Sequence, residues 1–263
     1  MKKSFRAMIA AALSLTATAP QAATFDIQVV FGSGLTSSQQ SIFSQAETFW
    51  ETVITGYKPN VSLTSLVINA VGTAIDGAFG VLGSAGPSAV TRTRGTYYAT
   101  AGEMEFDTAD LARMESEGSL FAVIQHEMAH VIGFGTLWSL NGLYVNESGQ
   151  YTGSNALAAY RSEFAPGAAF VPVDIVSGLG TRNGHWAENW AGGTRELMTG
   201  FLNTPTFVSN TTAQSFADLG YTVGSVPVVT PPVQPVPLPA GAVLLLGGLG
   251  VLGAAGARRR RTE

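Results

Sequence analysis

Cysteine is absent from the 263-residue sequence, so no disulfide staples the chain and no thiolate can ligate a metal. Stability must then come from a packed core and bound metal, and a central stretch of about 200 residues is long enough to bury such a core. Charge is scarce as well: 12% of residues are Asp, Glu, Lys or Arg, against roughly 25% in ordinary soluble domains. Basic residues are the scarcer kind. Of 14 Lys and Arg, Lys2, Lys3, Arg6 and the four arginines at 258–261 lie at the ends, whereas Glu263 is the one terminal acid among 18. The centre keeps seven cations against 17 anions, a balance near −10 that argues against nucleic acid and anionic membrane surfaces as partners. No internal repeat is visible.

Histidine is rarer still, with three in the chain, and their placement carries most of the functional information. His126 and His130 lie in HEMAH, and His185 lies in GHWAENW, shortly before Met198 in ELMTG. On an α-helix, residues four apart share a face one turn apart, so two imidazoles can reach one ion without distorting the backbone. Glu127 points roughly 100° round the helix from His126, which is wrong for ligation and suits a carboxylate meeting a metal-bound water. The helix is expected to run from Ser119 as N-cap, through SLFAVIQHEMAHVIGFG, to Gly133 as its stop. Leu120, Ile124, Met128 and Val131 fall at helical spacing and predict one buried stripe.

A catalytic zinc takes three protein ligands, keeps a fourth position open and lowers the pKa of its water to about 7. Glu127 is the expected general base for that water and then the acid for a leaving amine. His185 is the histidine left for the third ligand. Glu147 competes for that place, because one class of zinc peptidase takes its third ligand from a glutamate in an N-E-x-x-D helix. Here Asn146 and Glu147 precede Ser148, Gly149 and Gln150, a turn-like context with no aspartate. Glu188 is a candidate to orient His185. Met198 suits a hydrophobic floor better than a ligand, and Trp186 and Trp190 suit the core or a cleft wall.

The run H-E-x-x-H followed by Gly133 resembles the metzincin signature, in which the glycine turns the chain toward a third histidine and a methionine-containing turn. In compact metzincins that histidine comes three residues after the glycine, where this chain has Thr136. HEMAHVIGFGTLW, a long insertion, GHWAENWAGGTRELMTG and later SFADLGYTV are similar to the leishmanolysin-like metallopeptidases, where an insertion separates glycine and third ligand. The resemblance spans about residues 24–224, with the quoted segments as its specific part. It implies zinc ligands at His126, His130 and His185, the catalytic carboxylate at Glu127, the turn glycine at Gly133 and the Met-turn methionine at Met198. It implies an α+β fold: one metzincin-like catalytic domain with a twisted mixed sheet packed on the active-site helix. The disulfides and the pro-segment cysteine of the parasite surface enzymes that define the family have no counterpart here, so latency through a thiolate on zinc is excluded.

Within that domain, Phe25, Ile27, Val29 and Phe31 alternate with Asp26, Gln28 and Val30 and predict a strand, with another over 65–71. Ile42, Phe43, Ala46, Phe49, Trp50, Val53 and Ile54 trace one face of a helix that is expected to end at Gly56. In GEMEFDT, Met104 and Phe106 alternate with Glu103, Glu105 and Asp107. As an edge strand beside the active helix, this segment would bind an extended peptide by strand addition, as an edge strand does in metzincins. The Gly-rich run at 77–87 is a candidate flexible rim.

The ends form separate modules. Residues 1–23 have a basic start, a short apolar run and small residues before the domain, the plan of a secretory signal peptide. Residues 225–239 are a Pro-rich spacer, and 240–263 carry an uncharged stretch (240–257) followed by the arginine cluster. That stretch is barely long enough for a transmembrane helix, with the arginines on the cytoplasmic side. The order VPLPA, apolar helix, arginines resembles the PEP-CTERM sorting tails of Gram-negative bacteria, which implies an exosortase-type processing enzyme as partner and a cell-envelope, surface or extracellular location. A permanent single-pass anchor is the alternative.

Taken together, these features predict an exported zinc-dependent endopeptidase that hydrolyses peptide bonds of a peptide or protein substrate by Glu127-assisted attack of a zinc-bound water. The competing reading is a non-catalytic envelope or matrix protein with a structural zinc, which would require four protein ligands and no acidic neighbour.

Overall fold

The computed structural model describes residues 23–227. The signal segment up to residue 22, the spacer beyond 227 and the 240–263 tail lie outside the described residues. In chain order the elements are β1 (Ile27–Phe31), α1 (Ser37–Val53), β2 (Ile54–Tyr57), β3 (Leu66–Thr73), β4 (Gly83–Thr93), β5 (Thr96–Asp107), α2 (Leu111–Glu117), α3 (Leu120–Ile132), β6 (Gln150–Tyr151), α4 (Ser154–Glu163), β7 (Val171–Pro172), α5 (Asn210–Asp218) and β8 (Tyr221–Val223). The architecture is α+β with a mixed sheet, as expected.

The main sheet has the order β1-β3-β5-β4, with β1, β3 and β5 parallel and β4 antiparallel to β5. Period-two patterning separates its faces. Ile27, Leu66, Ile68, Ala70, Met104 and Phe106 are buried, while Gln28, Asn69, Glu103 and Glu105 are exposed. The GEMEFDT segment is a strand with one buried face, but it is not the edge. Residues Val67 to Thr73 of β3 pair with β5 on one side and β4 covers the other, so the edge role passes to β4. That strand includes the second half of the Gly-rich run expected as a flexible rim. Pairing of Gly83 with Phe106, Ser84 with Glu105 and Ala85 with Met104 overrides the weak strand propensity of those small residues.

Helix α1 opens with a reciprocal cap. The Thr36 hydroxyl accepts the Gln39 N–H at 3.2 Å, and the Gln39 side chain accepts the Thr36 N–H at 3.0 Å. It ends at Val53 rather than at Gly56, because Ile54 turns extended and β2 pairs antiparallel with β8. Gly56 serves a close contact instead: a Cβ there would lie 2.6 Å from the Ala23 carbonyl oxygen.

Helix α3 carries HEMAH and packs against α1, β4 and β5. The expected stripe of Leu120, Ile124, Met128 and Val131 is buried, and so are Ala122, Val123, Gln125, Glu127, Ala129, His130 and Ile132. The helix is therefore enclosed nearly all round instead of having one solvent face. Ser119 occupies the N-cap position without capping: its αR backbone (φ −89°, ψ −16°) keeps the hydroxyl off the first-turn N–H groups. Two hydrogen bonds fix α3 from outside, Trp50 Nε1–H to the Gln125 carbonyl and the Tyr221 hydroxyl to the Ile132 carbonyl, both 3.0 Å. At Gly102 of β5 a Cβ would lie 2.2 Å from Val131 Cγ1, so the missing side chain lets α3 sit close on the sheet. Among the described residues no helix is long and apolar enough to cross a membrane.

Candidate metal centre

The i, i+4 spacing on α3 brings His126 Nε2 and His130 Nε2 within 3.0 Å of each other. His185, 59 positions after His126, places its own Nε2 3.0 Å from each of them. All three predicted ligands therefore converge. Each Nδ1 faces a backbone carbonyl: Leu197 for His126 at 2.7 Å, Phe134 for His130 at 2.9 Å and Thr181 for His185 at 2.6 Å. A carbonyl oxygen can only accept, so each Nδ1 carries the ring proton and each Nε2 presents a lone pair.

Three lone pairs facing one another at hydrogen-bond distance repel unless a cation sits among them. Protonation is disfavoured. Burial, reinforced by the other imidazoles, holds the pKa of His126 down to about 3 and that of His130 well below the usual histidine value, and burial lowers that of His185 too. The trio could thus hold a metal ion. Bonds of about 2.0–2.1 Å in a tetrahedral arrangement set imidazole nitrogens roughly 3.3 Å apart, so an ion of zinc's size fits with shifts of a few tenths of an ångström. Among the described residues no fourth His, Asp or Glu joins the group.

The local folding that delivers each ligand can be traced. Gly133 ends α3 with φ +134°, a conformation that side chains rarely adopt, and the chain doubles back so that the Phe134 carbonyl reaches His130. Thr136, at the place of the compact-spacing histidine, donates its hydroxyl to the His130 carbonyl at 2.7 Å. Gly135 (φ +72°) then lies directly against Gly184, and a Cβ on Gly135 would sit 2.4 Å from the Gly184 carbonyl oxygen. This backbone contact sets His185 beside the helix. Trp186, fully buried, anchors the same segment by stacking with Trp138 and Trp190 at centroid distances of 5.0 and 5.6 Å. Trp190 is also buried, so both tryptophans take their expected core role.

Met198 is fully buried. Its carbonyl accepts the Trp186 N–H at 3.0 Å, one residue from His185, while the preceding carbonyl, that of Leu197, receives His126. Glu188 does not orient His185: the Thr181 carbonyl takes that place at 2.6 Å, and Glu188 Oε1 is buried without a hydrogen-bond partner. Glu147 does not reach the trio either. It sits in a turn with φ +64°, pairs with Arg182 and accepts from Asn183 at 2.7 Å.

Glu127 is 7% exposed and lines a cleft of about 710 Å³ together with the three histidines. Burial pushes its pKa up to about 8, and a divalent cation beside it would pull that value down again. Residues 82–85 around the start of β4 line the same cleft, as do residues 179–185 and 199–202. No protein-family model matches the chain, and no curated protein resembles it in sequence. The centre must be read from its own geometry.

One acid that the sequence did not single out matters here. Glu196 is 1% exposed and accepts from Met198 N–H (2.7 Å), Ser209 N–H and Oγ–H (both 3.0 Å) and the Thr212 hydroxyl (2.6 Å). Burial raises its pKa, and these hydrogen bonds oppose the rise. Its nearness to Met198 in a charge-poor stretch was the available signal. The carbonyls that orient the histidines have none, because every residue carries one.

Proposed function

We propose that the protein is an exported zinc endopeptidase of the leishmanolysin-like, metzincin kind. The observation that carries this reading is the triad of Nε2 lone pairs 3.0 Å apart, every Nδ1 tied to a carbonyl, with the Glu127 carboxylate in the same cleft. An all-imidazole set suits zinc, and three ligands rather than four suit a catalytic site. When bound there, zinc would lower the pKa of water to about 7 and polarise a substrate carbonyl. Glu127 removes the proton from the attacking water and passes it to the leaving amine. The start of β4 offers an unpaired strand edge to an extended polypeptide, so backbone hydrogen bonds align the scissile bond whatever its side chains.

The segments that carry the family likeness surround the ligands, the turn at Gly133 and Met198, and export and PEP-CTERM-like sorting rest on residues at the two ends. The rival reading, a structural zinc in a non-catalytic envelope protein, leaves Glu127 without a role. A casein zymogram of the purified full chain separates the two. The peptidase reading expects clearing that a chelator and Glu127→Ala each abolish, while the variant still binds about one zinc, as a three-histidine site should. Clearing that persists in Glu127→Ala rejects it.

A further inference from the structure

We propose that Glu196 is a positioning residue for the metal centre: a buried carboxylate clamp on the peptide between Leu197 and Met198 that sets two of the three histidines at once. The proposal rests on reading the histidine trio as a zinc site. Glu196 Oε2 takes the Met198 N–H at 2.7 Å, which fixes the plane of that peptide. The Leu197 carbonyl in the same peptide holds His126 Nδ1 at 2.7 Å. The next carbonyl, that of Met198, holds the Trp186 N–H at 3.0 Å, adjoining His185.

The other oxygen, Oε1, makes the second connection. It accepts the Thr212 hydroxyl at 2.6 Å, and Thr212 Oγ1 in turn accepts Trp186 Nε1–H at 2.8 Å. One side chain therefore reaches the His126 side through the main chain and the His185 side through the indole.

A carboxylate is required because both oxygens face donors. An amide at this place would turn its NH2 either toward Met198 N–H or toward Ser209 N–H, and either choice leaves one buried backbone donor without an acceptor. Thr36 supplies the control. Its hydroxyl caps α1 by accepting the Gln39 N–H at 3.2 Å, outside the Glu196 network.

The test measures the zinc dissociation constant of the full chain by competition with a chromophoric chelator. It adds the thermal midpoint of the metal-free form and the visible absorption of the cobalt-loaded form. Glu196→Gln is expected to bind zinc at least about tenfold more weakly, with an altered cobalt spectrum. Thr36→Ala, which removes the α1 cap, should lower the metal-free midpoint while keeping wild-type zinc affinity and the wild-type cobalt spectrum. Thr212→Val, which cuts the link to Trp186, should weaken zinc binding several-fold, and it decides the matter if Glu196→Gln does not fold. Wild-type zinc affinity in both Glu196→Gln and Thr212→Val overturns the proposal. So does a loss in Thr36→Ala equal to that in Glu196→Gln, since affinity would then follow stability alone. A wild-type chain that binds no zinc defeats the metal reading and this proposal with it, whereas tight binding in wild type and variants alike defeats only the proposal.

Discussion

Gly83 and Glu127 show how narrowly the buried carboxylate of α3 is held. A Cβ added at Gly83 would lie 3.1 Å from Glu127 Cγ and 3.3 Å from its Oε1, with the Glu105 carbonyl oxygen 3.2 Å away on the other side. Gly83 on the edge strand thus packs directly against Glu127, with no side chain between them. Gly83→Val should press the carboxylate out of place. A displacement near 1 Å costs on the order of a hundredfold in rate, so kcat is expected to fall by that order while bound zinc stays at the wild-type level. Steady-state cleavage of a fluorogenic peptide, with metal analysis on the same samples, checks both halves. Loss of zinc along with the rate would mean that Gly83 supports the metal centre itself.

At the scale of elements, α3 carries His126, His130 and Glu127, and a short turn after it brings His185 beside them. The recruiting contact is between two glycines. Gly135 is left-handed (φ +72°) and has no room for a side chain against Gly184, whereas Gly142 is left-handed as well (φ +69°) with nothing near it. Alanine at either position pays the left-handed penalty of about 1–2 kcal/mol, but only Gly135→Ala also pushes on the residue before His185. Gly135→Ala is expected to weaken zinc binding about tenfold or more, while Gly142→Ala loses comparable backbone stability and keeps wild-type affinity. Calorimetric zinc titration of both variants distinguishes strain at the turn from displacement of the ligand.

The same elements explain what could be read in advance. HEMAH is legible because i, i+4 geometry is local, and the convergence of His185 is legible because a chain with three histidines leaves few alternatives. The edge strand is not legible. Gly83, Ser84, Ala85 and Gly86 have the composition of a loop, and only their partners Glu103, Glu105, Met104 and Phe106 hold them extended. Likewise the end of α1 is set by Tyr221 to Val223, more than 150 residues further along the chain, which local helix signals do not report. Glu196 looks like an ordinary surface acid until Ser209 and Thr212 fold over it.

For the whole molecule, an ion held by the three histidines would be a crosslink. A continuous buried core runs from Phe43 and Trp50 of α1 through the sheet to α3, and continues through Trp138 and Trp186 to Phe216 and Tyr221. The three imidazoles join α3 to a segment 55–59 positions later, and no disulfide shares that task. An ion bound only by the folded chain stabilises it by RT ln(1 + [L]/Kd), about 2.7 kcal/mol when free zinc is a hundredfold above Kd. For a domain of this size, each kcal/mol moves the thermal midpoint by roughly 2–4 °C. Chelation should therefore lower the midpoint by about 5–10 °C relative to zinc-loaded protein, and restored zinc should reverse the change. Scanning calorimetry with and without chelator measures it. Histidine lone pairs held 3.0 Å apart make the metal-free state the strained one, so an unchanged midpoint would mean that the trio does not bind metal in solution.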